Sequence, residues 1–274
     1  MLRTRLWMGA LLIALAAGVL AFDPAPWFPI LLLLMLLLSA AACLELQFLL
    51  GPERRPPTWF CLTGVVAVVL ANWPAHLWGW GGPWRPVVYT FAAVVLAAFL
   101  LEMATFREPG HSVVRIALAV WSVAYLGLLP SFLAQLRWWP GDEGRLGVAA
   151  LALTIFVAKF CDVGAYFTGR LLGRHRMAPV LSPKKTWEGL AGGLALSVLT
   201  AWAINHYLPG LPLSDLSATG FGLAVGGAGV LGDLAESMVK RDCRRKDASQ
   251  AVPGYGGVLD VLDSILFAAP VAYW

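Results

Sequence analysis

Nine long apolar stretches dominate this chain of 274 residues and restrict the folds that it can adopt. They are residues 5–22, 28–50, 59–73, 87–105, 113–136, 147–169, 188–207, 218–239 and 258–274. A helix needs about 20 mostly apolar residues to cross a bilayer. The chain is 59% hydrophobic and 13% charged, whereas soluble domains carry about 25% charged residues. We therefore predict an all-α, polytopic membrane bundle of nine transmembrane helices, which excludes an ordinary soluble fold.

The distribution of basic residues predicts the orientation of these helices. With the N-terminus in the cytoplasm, 16 of the 20 Lys and Arg residues fall in cytoplasmic segments, whereas Arg85, Arg137 and Arg145 fall outside. Cytoplasmic loops of membrane proteins carry an excess of this kind. The basic loops 170–187 and 240–257 are then both predicted to face the cytosol.

The connections between the apolar stretches are short and leave no room for a separate soluble domain. We expect one continuous membrane domain, in which residues 1–140 supply N-terminal transmembrane helices and residues 141–274 form a catalytic region. The net charge of +4 is explained by cytoplasmic loops, so we expect no nucleic-acid partner.

Four polar residues recur at helical spacing near the end of the eighth stretch. Asp233, Glu236, Ser237 and Lys240 lie at i, i+3, i+4 and i+7, so a helix places them on one face. Such a face avoids lipid and points into the bundle or a wet cavity. It either locks helices together through a buried Asp–Lys pair, or holds a hard cation, with Lys240 and Arg241 near phosphate oxygens.

A glycine-rich loop precedes the last apolar stretch. Residues 253–257 offer backbone N–H groups at the start of a helix, which is a favourable site for an anion. Asp260 and Asp263 follow one turn inside that helix. Together with Asp233 they provide the oxygen ligands that Mg²⁺ prefers. The alternative is that Asp260 and Asp263 merely interact favourably with the helix dipole.

The segment before the seventh stretch combines capping residues with two lysines. Ser182 or Thr186 can cap the following helix, and Glu188 lies in its first turn. Capping does not require Lys184 and Lys185. These lysines either bind phosphate or act as positive-inside topology signals.

Lys159 and Asp162 lie three residues apart inside a predicted span and can pair with each other. Intramembrane charges also occur in ion pathways, so a non-catalytic transporter or scaffold is an alternative function. Transporters often have inverted repeats with broken helices in both halves. Here the charge is concentrated in the C-terminal half, which disfavours that alternative.

These motifs together resemble the signature of the phosphatidate cytidylyltransferases, or CDP-diacylglycerol synthases. That signature reads Ser-x-x-Lys-Arg, Lys-Asp, Pro-Gly-His-Gly-Gly and Asp-Arg-x-Asp. The chain matches it at Ser237, Lys240, Arg241, Lys246, Asp247, Pro253, Gly254, Gly256, Gly257, Asp260 and Asp263. The elements 162–166 and 182–189 also resemble family motifs. The chain departs at two positions, with Tyr255 in place of His and Val261 in place of Arg.

The resemblance implies a nucleotidyltransferase that converts CTP and phosphatidic acid to CDP-diacylglycerol and diphosphate. It implies Mg²⁺ as cofactor, with a second cation such as K⁺. The metal ligands are then Asp233, Asp260 and Asp263, and the catalytic residues are Lys240, Arg241, Asp247, Asp260 and Asp263. Substrate phosphates are bound by Ser182, Lys184, Lys185, Ser237, Lys246, Tyr255, Gly256 and Gly257. Secondary or structural polar roles fall to Lys159, Asp162, Glu188 and Glu236.

The resemblance further implies a homodimer. We expect a bacterial-type inner or plasma membrane, and the distribution of basic residues predicts an active site on its cytoplasmic side. A CTP-dependent lipid kinase acting on polyprenol-type alcohols is the alternative enzyme, since it shares the nucleotide, the metal and the membrane. A kinase must remove a proton from its alcohol acceptor, and Asp162 is the spare residue that can act as a base.

Overall fold

The computed structural model describes residues 2–139, 145–208, 213–254 and 256–274. Helices account for most of these residues. They are α1 Leu2–Phe22, α2 Pro29–Arg54, α3 Thr58–Leu70, α4 Trp73–Trp78, α5 Arg85–Thr105, α6 Ser112–Val123, α7 Leu129–Arg137, α8 Arg145–Leu172, α9 Trp187–Tyr207, α10 Asp215–Asp242 and α11 Val258–Tyr273. A π-helical turn, Ala124–Leu128, joins α6 to α7, and two strands, β1 Arg176–Ala178 and β2 Ser182–Thr186, separate α8 from α9.

Seven helical segments among the described residues are long and apolar enough to cross a membrane. They are Pro29–Pro52, Thr58–Trp78, Arg85–Thr105, Ser112–Arg137, Leu146–Leu172, Trp187–Tyr207 and Asp215–Asp242. This confirms the predicted all-helical membrane fold. Each of the nine predicted stretches coincides with helix, but α11 has only 16 residues and is about 24 Å long. The count of nine spans therefore stays a prediction.

The chain forms two compact units. The first comprises Met1–Leu11, Phe22–Gln135 and Asp247–Leu259, and the second comprises Leu12–Ala21, Leu136–Lys246 and Asp260–Trp274. The predicted division into regions 1–140 and 141–274 stays a prediction.

Polar side chains connect helices within the first unit. Gln47 donates a hydrogen bond to Ser122 over 3.1 Å, and Asn72 donates one to Ser131 over 2.9 Å. Gln135 donates to the side-chain amide oxygen of Asn72 over 2.8 Å. In a bilayer the hydrophobic effect does not drive helices together, because the lipid tails are as apolar as the helices. Hydrogen bonds between helices therefore contribute to their association.

Glycines allow α8, α9 and α10 of the second unit to pack backbone against backbone. A methyl group at Gly164 would lie 2.8 Å from the Gly192 carbonyl oxygen, and one at Gly193 would lie 2.8 Å from that of Cys161. At Gly222 the nearest atom would be the Cα of Val198, also at 2.8 Å. Small residues of this kind let membrane helices approach closely. The three helices therefore form a fixed frame for the polar residues that they carry.

A short antiparallel hairpin occupies most of the loop predicted at 170–187, where strands β1 and β2 pair. The all-α prediction did not include it. Thr186 caps α9 by accepting a hydrogen bond from the Gly189 N–H over 3.1 Å. This confirms one of the two predicted caps, whereas Ser182 begins β2 and does not cap the helix.

Candidate metal and phosphate site

The four polar residues predicted to share a face of α10 do lie together. Lys240 donates a hydrogen bond to Glu236 over 2.7 Å, and Ser237 donates one to Asp233 over 3.4 Å. Glu236 is fully buried, and Lys240 is 8% exposed. A buried charge is stabilised only when it is paired and hydrogen-bonded. This face of α10 therefore requires neighbouring groups of opposite charge.

Helix α11 supplies two more carboxylates. Asp260 accepts from Lys240 over 2.5 Å, so one ammonium group bridges Glu236 and Asp260. Asp263 is buried and accepts from the Ser264 N–H over 2.6 Å. The two acids of α11, predicted to lie on one face, therefore have different partners.

Three carboxylates converge on one point. Oxygens of Asp233, Glu236 and Asp263 all lie within 4.8 Å of one another, and we call these three residues the acidic cluster. Glu236 Oε2 is bound by Lys240, but Glu236 Oε1 is buried and has no hydrogen-bond partner within the described part of the chain. A buried oxygen without a hydrogen-bond partner destabilises the fold, and a cation bound to that oxygen would offset this cost. The donor set consists of carboxylates, which suits Mg²⁺.

Lysines surround the acidic cluster from two other elements. Lys185 of β2 pairs with Asp233 over 2.8 Å. Lys159 of α8 donates to the Ser264 hydroxyl over 2.7 Å and lies 3.6 Å from an oxygen of Asp263. These contacts place the predicted secondary residue Lys159 beside the acids.

Asp162 belongs to the same network. It lies 3.6 Å from Lys159 and accepts a hydrogen bond from the Ser264 hydroxyl over 3.0 Å. Among the described residues, the acidic cluster, Asp260 and Asp162 thus provide five carboxylates against three lysines. The excess of negative charge favours a bound cation.

Several predicted phosphate-binding residues of the second unit lie outside this network. Lys184 and Lys246 are exposed, and Ser182 is half-buried at the start of β2. Arg241 is exposed and donates to the carbonyl oxygens of Leu181 and Arg245, each over 3.3 Å. These side chains have the solvent access that a nucleotide requires.

Glu188 has a local structural role. Its Oε2 accepts from the N–H groups of Arg174 and His175 over 3.1 and 3.2 Å, and its Oε1 lies 2.6 Å from His175 Nδ1. These bonds join the residues that follow α8 to the first turn of α9.

The remaining predicted site residues lie in the loop before α11, which belongs to the first unit. Asp247 is exposed, Gly256 is half-buried and Gly257 is buried. The Gly256 N–H donates to the Val252 carbonyl over 3.0 Å and is therefore engaged within the loop. Tyr255 lies outside the described residues.

A model of the cytidylyltransferase family matches residues 2–274. The chain belongs to this family. Proteins named phosphatidate cytidylyltransferase are similar to it in several bacteria. That of Staphylococcus aureus (strain COL) is 30% identical over 88% of this chain and 88% of its own length. That of Synechocystis is 35% identical over 62% of this chain and 64% of its own length.

The similarity to the phosphatidate cytidylyltransferase of Haemophilus influenzae is higher but shorter. It reaches 44% identity over 124 residues, which are 44% of this chain and 43% of that protein. Family membership confirms the predicted enzyme class, a membrane nucleotidyltransferase.

Two residues of this cytidylyltransferase were missed by the sequence predictions. Ser264 links Lys159 to Asp162, and a serine inside an apolar stretch gives little signal of its own. Glu45 accepts hydrogen bonds from the first two N–H groups of α11. It is a lone acid within an apolar stretch, and intramembrane ionisable residues are functional candidates by default. That signal was available in the sequence.

Proposed function

We propose that this protein transfers the cytidylyl group of CTP to phosphatidic acid, and that the acidic cluster is the centre of the reaction. The predicted reaction agrees with the family and with relatives named phosphatidate cytidylyltransferase across 88% of the chain. The observation that carries the assignment to this site is the buried Glu236 carboxylate. Its Oε1 has no partner among the described residues, and an oxygen of this carboxylate lies within 4.8 Å of oxygens of Asp233 and Asp263.

The chemistry needs positioning more than it needs a base. An oxygen of the phosphatidic acid phosphate attacks the α-phosphorus of CTP. The bond between the α-phosphorus and the oxygen that bridges the α- and β-phosphates breaks, and its electron pair leaves with pyrophosphate. The attacking phosphate is already anionic, so no side chain has to remove a proton. Bringing two polyanions together and neutralising the leaving group are the main tasks.

Asp233, Glu236 and Asp263 would hold Mg²⁺. Asp260, which the sequence also predicts as a ligand, is linked to this cluster through Lys240. When bound, Mg²⁺ neutralises phosphate charge and stabilises the leaving oxygens. We also propose a second cation such as K⁺, as the family resemblance implies. The excess of acids over lysines in this region supports a requirement for added positive charge.

The lysines and arginines divide into two groups. Lys185 and Lys240 are committed to carboxylates and orient them. Lys184, Arg241 and Lys246 are exposed, and we propose that they bind the triphosphate or the lipid phosphate. Ser182 and Ser237 provide hydroxyl donors beside these groups. Gly256, Gly257 and Tyr255 are proposed to bind substrate, and Asp247 is proposed to be catalytic, on their motif alone.

We further propose that the active site faces the cytosol, where CTP is available, and that the protein is a homodimer. The lipid would enter sideways between helices and keep its acyl chains in the bilayer. The excess of basic residues in loops 170–187 and 240–257 supports this orientation.

Product analysis tests the function. Purified protein in detergent receives labelled CTP, phosphatidic acid and Mg²⁺, and we expect a CDP-lipid and pyrophosphate in equal amounts. Asp260→Asn should abolish most of this turnover. Formation of CDP with a phosphorylated alcohol would instead identify a lipid kinase. No turnover with any lipid, in the wild type as in the variant, would contradict both activities.

A further inference from the structure

An internal carboxylate occupies the start of helix α11. The first N–H groups of any helix have no partner inside the helix. Here the Val258 N–H donates to Glu45 Oε1 over 2.9 Å, and the Leu259 N–H donates to Glu45 Oε2 over 2.8 Å. Both oxygens of one carboxylate thus bind consecutive N–H groups. An anion at this position also interacts favourably with the helix dipole.

The same carboxylate holds the loop that precedes the helix. The Ser249 hydroxyl donates to Glu45 Oε1 over 2.6 Å and accepts from the Ala251 N–H over 3.0 Å. Gly257 packs directly on the carboxylate, because a methyl group there would lie only 2.8 Å from Glu45 Cδ. Glu45 therefore fixes both ends of segment 249–259.

The loop between these anchors is closed by its own backbone. The Val252 N–H donates to the Gly256 carbonyl over 2.7 Å, and the Gly256 N–H returns a bond of 3.0 Å to the Val252 carbonyl. Gly254 and Gly256 adopt φ angles of 84° and 113°, which disfavour other residues. These two bonds tie residue 252 to residue 256, so the position of this turn depends on the anchors at its ends.

We propose that Glu45 is a positioning residue for the reaction. It sets the start of α11, and Asp260 is the next residue after Leu259 in that helix. A shift in the first turn would displace Asp260 from Lys240 and Asp263 from the acidic cluster. The inference rests on the proposed function, because it assigns Glu45 a role in that reaction. It also explains why an acid lies between Leu44 and Leu46 in an apolar helix.

Glu45→Gln tests this role with little change in volume. The glutamine keeps one acceptor oxygen, but its NH₂ group faces an N–H donor and the charge is lost. We expect kcat to fall about tenfold or more, because small misplacements of reacting groups are costly. The KM for CTP should change by less than about threefold. Hydrogen exchange of the amides in segment 249–259 should accelerate in the full-length protein.

Glu102→Gln is the matched control in the same unit. Glu102 is also a buried carboxylate with two hydrogen bonds, both from Arg115 over 2.9 Å. This variant should lose thermal stability and keep kcat within about twofold of the wild type. Ser249→Ala removes one anchor and leaves both backbone bonds, so its kcat should fall by less than about threefold.

Two readouts separate this inference from the proposed function. An inactive wild type would contradict the proposed function. Amide hydrogen exchange in segment 249–259 would still show whether Glu45 anchors that segment, because it does not depend on activity. Unchanged exchange in Glu45→Gln would refute the anchor. A kcat within twofold of wild type, or an equal loss in Glu102→Gln, would refute the positioning role.

Discussion

Glu236 is a fully buried residue whose carboxylate has only one oxygen hydrogen-bonded within the described residues. Replacing it by Gln preserves volume and the acceptor for Lys240 but removes the charge that a cation would share. We expect the Mg²⁺ concentration for half-maximal activity to rise about tenfold or more. A magnesium titration of activity measures this. The same half-maximal concentration in wild type and variant would contradict a ligand role for Glu236.

Asp233 and Asp215 lie on the same helix and permit a matched comparison. Asp233 pairs with Lys185 and belongs to the acidic cluster, whereas Asp215 is exposed in the first turn of α10. Asp233→Asn should lower turnover about a hundredfold or more, which is typical when a group that stabilises charge in a transition state is removed. Asp215→Asn should stay within about twofold.

Asp263→Asn should match Asp233→Asn, since both residues contribute oxygens to the same point. Initial rates with saturating CTP and phosphatidic acid measure the effect, provided that each variant inserts and purifies like wild type. Near-normal turnover in either variant would remove that residue from the metal site.

The residues of the candidate site were largely predictable, but their pairing was not. Helical spacing placed Asp233, Glu236 and Lys240 on one face of α10, as observed. It did not reveal that Lys240 bridges Glu236 to Asp260, or that Glu236 joins Asp233 and Asp263. Those contacts depend on the rotation of α11 against α10, which no spacing within one helix determines.

At the scale of elements, α10 and α11 touch through a glycine. A methyl group at Gly232 would collide with the Asp263 carbonyl oxygen. One at Gly227 on the same helix would have no heavy atom of a neighbouring described element within 4 Å. Gly232→Ala should therefore destabilise the protein by about 1–3 kcal/mol, because a packed backbone cannot yield freely. It should also lower activity, since the clash displaces the helix that carries Asp263.

Gly227→Ala is the control for that substitution. In an open position, alanine favours a helix over glycine by up to about 1 kcal/mol. We expect wild-type activity and equal or higher thermal stability in detergent. Equal melting temperatures for the two variants would contradict close packing of α10 on α11.

The helices were predictable because apolar length is a strong signal, and every predicted stretch contains helix in the structure. The hairpin of β1 and β2 was not foreseen, since segment 182–186 lacks the apolar alternation that marks a strand. The N-terminus of α11 was predicted as an anion site, and the anion found there is Glu45. Only the fold brings residues 45 and 258 together.

At the scale of the whole molecule, the orientation in the membrane is a prediction with a direct measurement. Arg174 and Tyr207 are both exposed and lie before and at the end of α9. In a background without the four native cysteines, an impermeant maleimide should label Arg174→Cys from the cytoplasmic face and Tyr207→Cys from the opposite face. Labelling of both from one face, or in the reverse order, would contradict the proposed topology.

The position of the transferred phosphorus tests cytidylyl transfer most directly. Purified protein is given phosphatidic acid and Mg²⁺ with CTP labelled at either the α- or the γ-phosphate. We predict that α-label appears in the lipid and γ-label appears only in pyrophosphate, and that Asp233→Asn and Asp263→Asn lose both signals together. Lipid labelled from the γ-position, or unchanged α-label transfer in both variants, would contradict cytidylyl transfer at the acidic cluster.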